Sequence, residues 1–155
     1  MKHLIPAFET LKKRYPPGCE SALVLPCLRR IQEDRGYVAD EDVDGLCAWL
    51  GVPRIQVEEV LSYYTMFRRS PVGRWHVQVC RNVSCSMRGA ERLIDHVCKR
   101  VGVSAPGETT ADGRYTVSTV ECLGSCGTAP VLVVNETYHE TMDAAKTDAL
   151  LEGLK

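Results

Sequence analysis

Two closely spaced cysteine pairs constrain this chain more than any other feature. Cys80 and Cys85 form a C-x4-C pair, and Cys122 and Cys126 form a C-x3-C pair. Each pair begins where an alternating apolar stretch ends. Trp75 to Cys80 reads as a strand, with Trp75, Val77 and Val79 on one side and His76 and Gln78 on the other. Arg114 to Glu121 reads as a second strand that runs straight into Cys122. A fold that ends both strands at one sheet edge brings four thiols together; a fold that does not leaves them scattered.

The surrounding sequence predicts such a fold. Ala90, Leu93, Ile94, Val97, Cys98 and Val101 follow helical spacing between the two strands. Ser104 to Gly113 is a turn-rich loop, and Pro130 to Val134 reads as a short buried third strand. Asn135-Glu136 makes a hairpin turn into Tyr138, and Thr141 is the expected cap of a last helix through Leu151. The order β-α-β-β-α belongs to the α/β class, with a thioredoxin-like mixed sheet as the natural candidate.

The chain upstream reads helical instead. Val24, Cys27, Leu28 and Ile31 share one helix face, and Val43, Leu46, Cys47 and Leu50 repeat the spacing before Gly51 stops it. Pro53 suits the first turn of a third helix whose face is Val57, Val60, Leu61 and Tyr64. The expected organisation is a small helical bundle over residues 1–70 and a mixed-sheet domain over residues 71–155, joined near Ser70-Pro71-Val72-Gly73.

Composition narrows the function classes. A net charge of -1 lacks the basic face that replaces phosphate counterions, so no nucleic-acid partner is expected; Arg68, Arg69 and Arg74 make only a local positive spot. No run approaches the roughly 20 apolar residues that span a bilayer. Glu9 interrupts the N-terminus before a signal-peptide core develops. A cytosolic, reducing setting follows, which makes Asn82-Val83-Ser84 and Asn135-Glu136-Thr137 chance matches to a glycosylation triplet. Eight cysteines there point to metal or redox chemistry rather than to four disulfides. Neither GxGxxG nor a P-loop occurs, so any flavin or nicotinamide belongs on another chain.

The eight cysteines separate by context. Cys27, Cys47 and Cys98 lie within apolar helix faces, where cysteine acts as a small hydrophobe, and Cys19 follows Pro16-Pro17-Gly18 without a partner at ligand spacing. Cys80, Cys85, Cys122 and Cys126 remain as a four-thiolate set of the kind a 2Fe–2S cluster requires. Gly124 and Gly127 are expected to adopt positive φ and let backbone N–H groups approach sulfur. Structural zinc accepts four cysteines too, but its usual knuckle is the tighter C-x2-C pair with a small metal-dependent core, and this chain has ample core without a metal; zinc is the minor rival. Neither pair has the C-x-x-C spacing of a thioredoxin dithiol, and the plant-type C-x4-C-x2-C pattern fails after Cys85. A Rieske centre needs two histidines. His76 lies on the first strand, His139 lies outside both loops, and His96 shares a solvated helix face with Arg92, Lys99 and Arg100.

These residues resemble the 24 kDa-type subunit of NADH:quinone oxidoreductase (respiratory complex I), a family with relatives in NAD-linked hydrogenases and formate dehydrogenases. The match is carried by Val79-Cys80 with Cys85, Met87-Arg88-Gly89-Ala90, Asp112-Gly113-Arg114-Tyr115, and Val120-Glu121-Cys122-Leu123-Gly124-Ser125-Cys126-Gly127-Thr128-Ala129-Pro130-Val131. Ile31-Gln32, Gly36-Tyr37 and Ser62-Tyr63-Tyr64-Thr65-Met66-Phe67 extend it upstream. The resemblance implies a helical bundle before a thioredoxin-like ferredoxin domain, with one low-potential 2Fe–2S cluster on Cys80, Cys85, Cys122 and Cys126. It also implies a partner subunit carrying FMN, NADH and a 4Fe–4S cluster. The chain would sit in the peripheral arm of the complex, on the cytoplasmic side of the inner membrane, and no catalytic residue is expected in this chain alone. A stand-alone ferredoxin, a diaphorase subunit of a hydrogenase or formate dehydrogenase, and a zinc-stabilised interaction module are the alternatives. Tyr63 to Phe67 reads either as a partner-facing patch or as packing.

Overall fold

A computed structural model of the chain describes residues 1–154, which divide into two compact units, Met1–Pro71 and a second that begins at Val72. The first holds four helices: α1 (Ile5–Lys12), α2 (Val24–Arg35), α3 (Asp40–Leu50) and α4 (Arg54–Tyr63). Three coincide with the periodic stretches above. α3 starts with Asp40, Glu41 and Asp42 in its first turn, where acidic side chains favour the helix dipole, and ends at Gly51 in the left-handed conformation (φ 69°). Pro53 lies just outside α4, as its N-cap rather than in its first turn.

The sequence pattern does not predict α1, and this helix completes the core. Phe8 is fully buried, with its ring centroid 5.3 Å from that of Trp49. It joins Leu28, Ile31, Val38, Val43, Leu46 and Val57 in one cluster. Cys27 is buried among them, and desolvation pushes its thiol up to about 12. The positive spot expected around Arg69 is partly neutralised, since Arg69 Nη2 lies 2.6 Å from Asp40 Oδ1.

The second unit contains β1 (Trp75–Cys80), α5 (Val83–Met87), α6 (Ala90–Val101), β2 (Tyr115–Val120), β3 (Leu132–Val134), β4 (Thr137–His139) and α7 (Ala144–Gly153). The sheet order is β2-β1-β3-β4. β1 and β2 are parallel, from Trp75 opposite Tyr115 to Cys80 opposite Val120, while β3 pairs antiparallel with both β1 and β4. This is the mixed α/β sheet that the sequence pattern predicts, with one more short helix and one more strand. Val77, Val79, Val117, Leu132 and Val134 supply the sheet's share of the core, and Leu93, Ile94, Val97, Cys98 and Leu151 supply that of α6 and α7.

Two local expectations are corrected. Asp143, not Thr141, caps α7; its Oδ1 accepts the Lys146 N–H at 2.8 Å. His76, expected on the polar side of β1, is buried, and its Nε2 lies 2.7 Å from Ser118 Oγ on the parallel neighbour. No helix among the described residues is long and apolar enough to cross a membrane.

Candidate metal centre

Parallel pairing decides where the cysteines meet. Because Cys80 faces Val120, the chain leaves β1 and β2 at the same edge, and Cys122 follows two residues beyond that register. The Cys80 N–H donates to Val131 O (3.1 Å) and the Arg81 N–H to Val120 O (3.0 Å), so the backbone stays anchored as it turns. Cys85, expected in an open loop, lies instead on α5. Asn82 caps that helix, its Oδ1 accepting the Val83 N–H at 2.9 Å. The helical turn brings the Cys85 thiol back into the same buried cluster as Cys80. Both are buried with Ala90, Ala129 and Val131. Burial raises the Cys85 pKa first, and the neighbouring Cys80 thiol raises it further.

The other pair is exposed. Cys122 follows β2 after Glu121, and its sulfur accepts the Gly124 N–H at 3.3 Å. Gly124 makes that approach with φ 71°, a region costly for any residue bearing a Cβ. Cys126 opens a short 3-10 turn, Cys126–Thr128. Gly127 lies inside this turn and, contrary to expectation, is not among the positive-φ glycines.

The two loops abut. Cys80 Sγ lies 3.9 Å from the Glu121 carbonyl oxygen, and Cys126 acts electrostatically on Cys85. Among the described residues no three His, Cys, Asp or Glu side chains are grouped so as to hold a metal ion as they stand. The thiols are arranged two and two, Cys80 and Cys85 buried, Cys122 and Cys126 exposed. A donor set of four thiols in two adjoining pairs fits a group of two irons, and a backbone N–H already directed at a sulfur fits it further.

The remaining cysteines are placed differently. Cys98 packs in the α6 core, where burial raises its pKa, and Cys19 and Cys47 are half-buried. His96, expected in solvent, lies 2.9 Å from Asp148 Oδ1 on α7, beside Arg100, which reaches the same oxygen at 3.1 Å. The Tyr63–Phe67 segment splits: Phe67 belongs to the helical core, whereas Tyr63 and Met66 are 79% and 56% exposed. Sequence reasoning misses two features of the site. Arg81 pairs with Glu121 beside Cys80 and Cys122, and Glu140 meets the Cys126 turn. Opposite charges adjoining the two cysteines are the available signal for the first; Glu140 carries none.

Residues 8–155 match the family model described as "Thioredoxin-like [2Fe-2S] ferredoxin". The chain is 42% identical over 147 residues to a subunit of the NADH-quinone oxidoreductase of Rhizobium meliloti strain 1021, covering 95% of this chain and 86% of that relative. It is also 42% identical over 148 residues to NADH-quinone oxidoreductase subunit 2 of Thermus thermophilus, covering 95% and 81%. Among solved structures, NAD+-reducing [NiFe]-hydrogenase in the air-oxidized state aligns with a TM-score of 0.70 at 26% identity. That alignment covers 83% of this chain but 22% of the hydrogenase chain, so the likeness is to a small part of a longer polypeptide.

Proposed function

The chain belongs to the thioredoxin-like 2Fe–2S ferredoxin family, its relatives include subunits of NADH-quinone oxidoreductase, and on that premise we propose that it is an electron-transfer subunit of an NADH-oxidising complex. Cys80, Cys85, Cys122 and Cys126 hold one 2Fe–2S cluster. When bound, that cluster supplies one-electron redox chemistry at low potential. The observation that carries the reading is the register of Cys80 opposite Val120, which starts both cysteine loops from one sheet edge.

The chain's own residues do the rest. Cys80 and Cys85, packed with Ala129 and Val131, exclude water from one side of the site. Cys122 and Cys126 leave the other side open to solvent, where an electron partner approaches. Adding an electron to an anionic thiolate site that is partly desolvated is unfavourable, which pulls the potential down. The Gly124 N–H offsets part of that charge at Cys122. The electron partner is a flavoprotein subunit that binds FMN and NADH and carries a 4Fe–4S cluster. In this reading the chain works in the peripheral arm of the complex, on the cytoplasmic side of the inner membrane.

A second reading, the diaphorase part of an NAD-linked hydrogenase, is favoured by the TM-score of 0.70 to the NAD+-reducing hydrogenase. One purification tests both. Anaerobically prepared protein should contain iron and acid-labile sulfide, bleach with dithionite, and give a 2Fe–2S EPR signal when reduced. Co-purification with a flavoprotein, followed by assay with quinone or with hydrogen, separates the two readings. Colourless protein without sulfide overturns both.

A further inference from the structure

We propose that Glu140 is a positioning residue for Cys126, holding the turn that presents this sulfur. The proposal rests on the assignment of Cys126 as a cluster ligand. Ser125 Oγ and Thr128 Oγ1, which bracket Cys126 and Gly127, both donate to Glu140 Oε1; the Thr128 bond is 2.8 Å long. The two hydroxyls lie 2.7 Å from each other, so three oxygens close on one point behind the turn. A hydroxyl ordinarily rotates to suit its surroundings. A carboxylate acceptor shared by two of them fixes both, through charge-assisted bonds that are stronger than neutral ones.

The backbone continues the same seam. The Thr141 N–H donates to Thr128 O (2.7 Å) and the Met142 N–H to Pro130 O (3.0 Å), with Met142 buried beneath. Thr141 has φ 50°, a left-handed conformation that a β-branched residue resists. Such strain persists where surrounding contacts over-determine it. Here those contacts are the Thr128 bond and the Lys146 Nζ, which donates to Thr141 O at 2.7 Å. The segment Glu140–Met142 is thus held against the Cys126 turn at some local cost. Among the described residues, no other side-chain hydrogen bond ties this exposed turn to a distant part of the chain.

Two consequences follow for the loaded site. The turn keeps its shape around Cys126, which slows loss of the cluster. The Ser125 hydroxyl, next to a ligand, is also engaged by carboxylate and so is not offered to sulfur, a hydrogen bond that would raise the potential.

The test uses the anaerobically purified protein with its cluster, in the forms wild type, E140A, E140Q and S125A/T128A. Cluster loss to a chelator is followed by visible absorption, and the midpoint potential by EPR-monitored titration. E140A should lose its cluster about tenfold faster, as two charge-assisted bonds disappear, and its potential should rise. E140Q, whose amide oxygen accepts the same hydroxyls, should recover most of the lifetime. S125A/T128A should match E140A in cluster loss without its rise in potential. Wild-type rates and potential in E140A would overturn the proposal while leaving the cluster reading intact. Wild-type protein that holds neither iron nor sulfide would remove the cluster reading and this proposal with it.

Discussion

Arg81 and Glu121 clasp across the two cysteine loops: Arg81 Nε and Nη2 reach the same Glu121 oxygen at 2.9 and 2.5 Å. Arg81 directly follows Cys80, and Glu121 directly precedes Cys122. Both side chains are more than half exposed, so the pair adds little to global stability. Its effect is local. R81A should speed cluster loss roughly threefold while moving the melting temperature by no more than about 2 °C. Reversing both charges (R81E with E121R) should restore the lifetime, which chelator challenge measures directly.

The sorting of cysteines makes a sharper prediction. C85S and C122S should each abolish or severely deplete the cluster. C98S should keep iron and sulfide at wild-type levels, with a loss of about 1–2 kcal/mol in unfolding free energy from placing a hydroxyl in the α6 core. Iron and acid-labile sulfide analysis, with urea unfolding of C98S, checks all three; equal iron loss in every variant contradicts the sorting.

Gly124 and Gly127 should respond differently to alanine. At φ 71° a Cβ on Gly124 costs about 1–2 kcal/mol and disturbs the N–H that faces Cys122 sulfur. Neither glycine has a heavy atom within 4 Å of the added Cβ, so crowding does not confuse the comparison. G124A should shift the reduced EPR signal and shorten the cluster lifetime, and G127A should leave both near wild type.

The buried Cys27 gives a pH signature. Its thiol ionises near 9.0 when exposed and near about 12 in the fold. The folded chain therefore keeps a proton that the unfolded chain has lost in this window. The stability this contributes is fully present below pH 9 and falls as pH rises toward 12, by at most about 1.4 kcal/mol per pH unit. Wild type should lose melting temperature between about pH 9 and 11 more steeply than C27A. Parallel curves would contradict the assigned burial effect.

Much of the architecture is readable from the residues alone. Trp75–Cys80 and Ala90–Val101 are legible because alternation and helical periodicity each persist long enough to signal a face. α5 is not, because five residues carry no period and the helix depends on the Asn82 cap. α1 is hidden because Phe8 is its only fully buried residue. Within the candidate site, the two cysteine pairs stand out by their position after strands. The Arg81–Glu121 clasp depends on strand register, and the bonds to Glu140 depend on a loop returning from β4. The first leaves only a faint trace, opposite charges adjoining Cys80 and Cys122, and the second leaves none.

The parallel pairing of β1 with β2 also sets an order of events. Adjacent parallel strands cannot be joined by a tight hairpin, so everything from Arg81 to Arg114 must cross over before the second loop arrives. On a ribosome, Cys80 and Cys85 emerge well ahead of Cys122 and Cys126, and they wait without their counterparts until the sheet has closed. The four thiols therefore become neighbours only once β2 has docked beside β1.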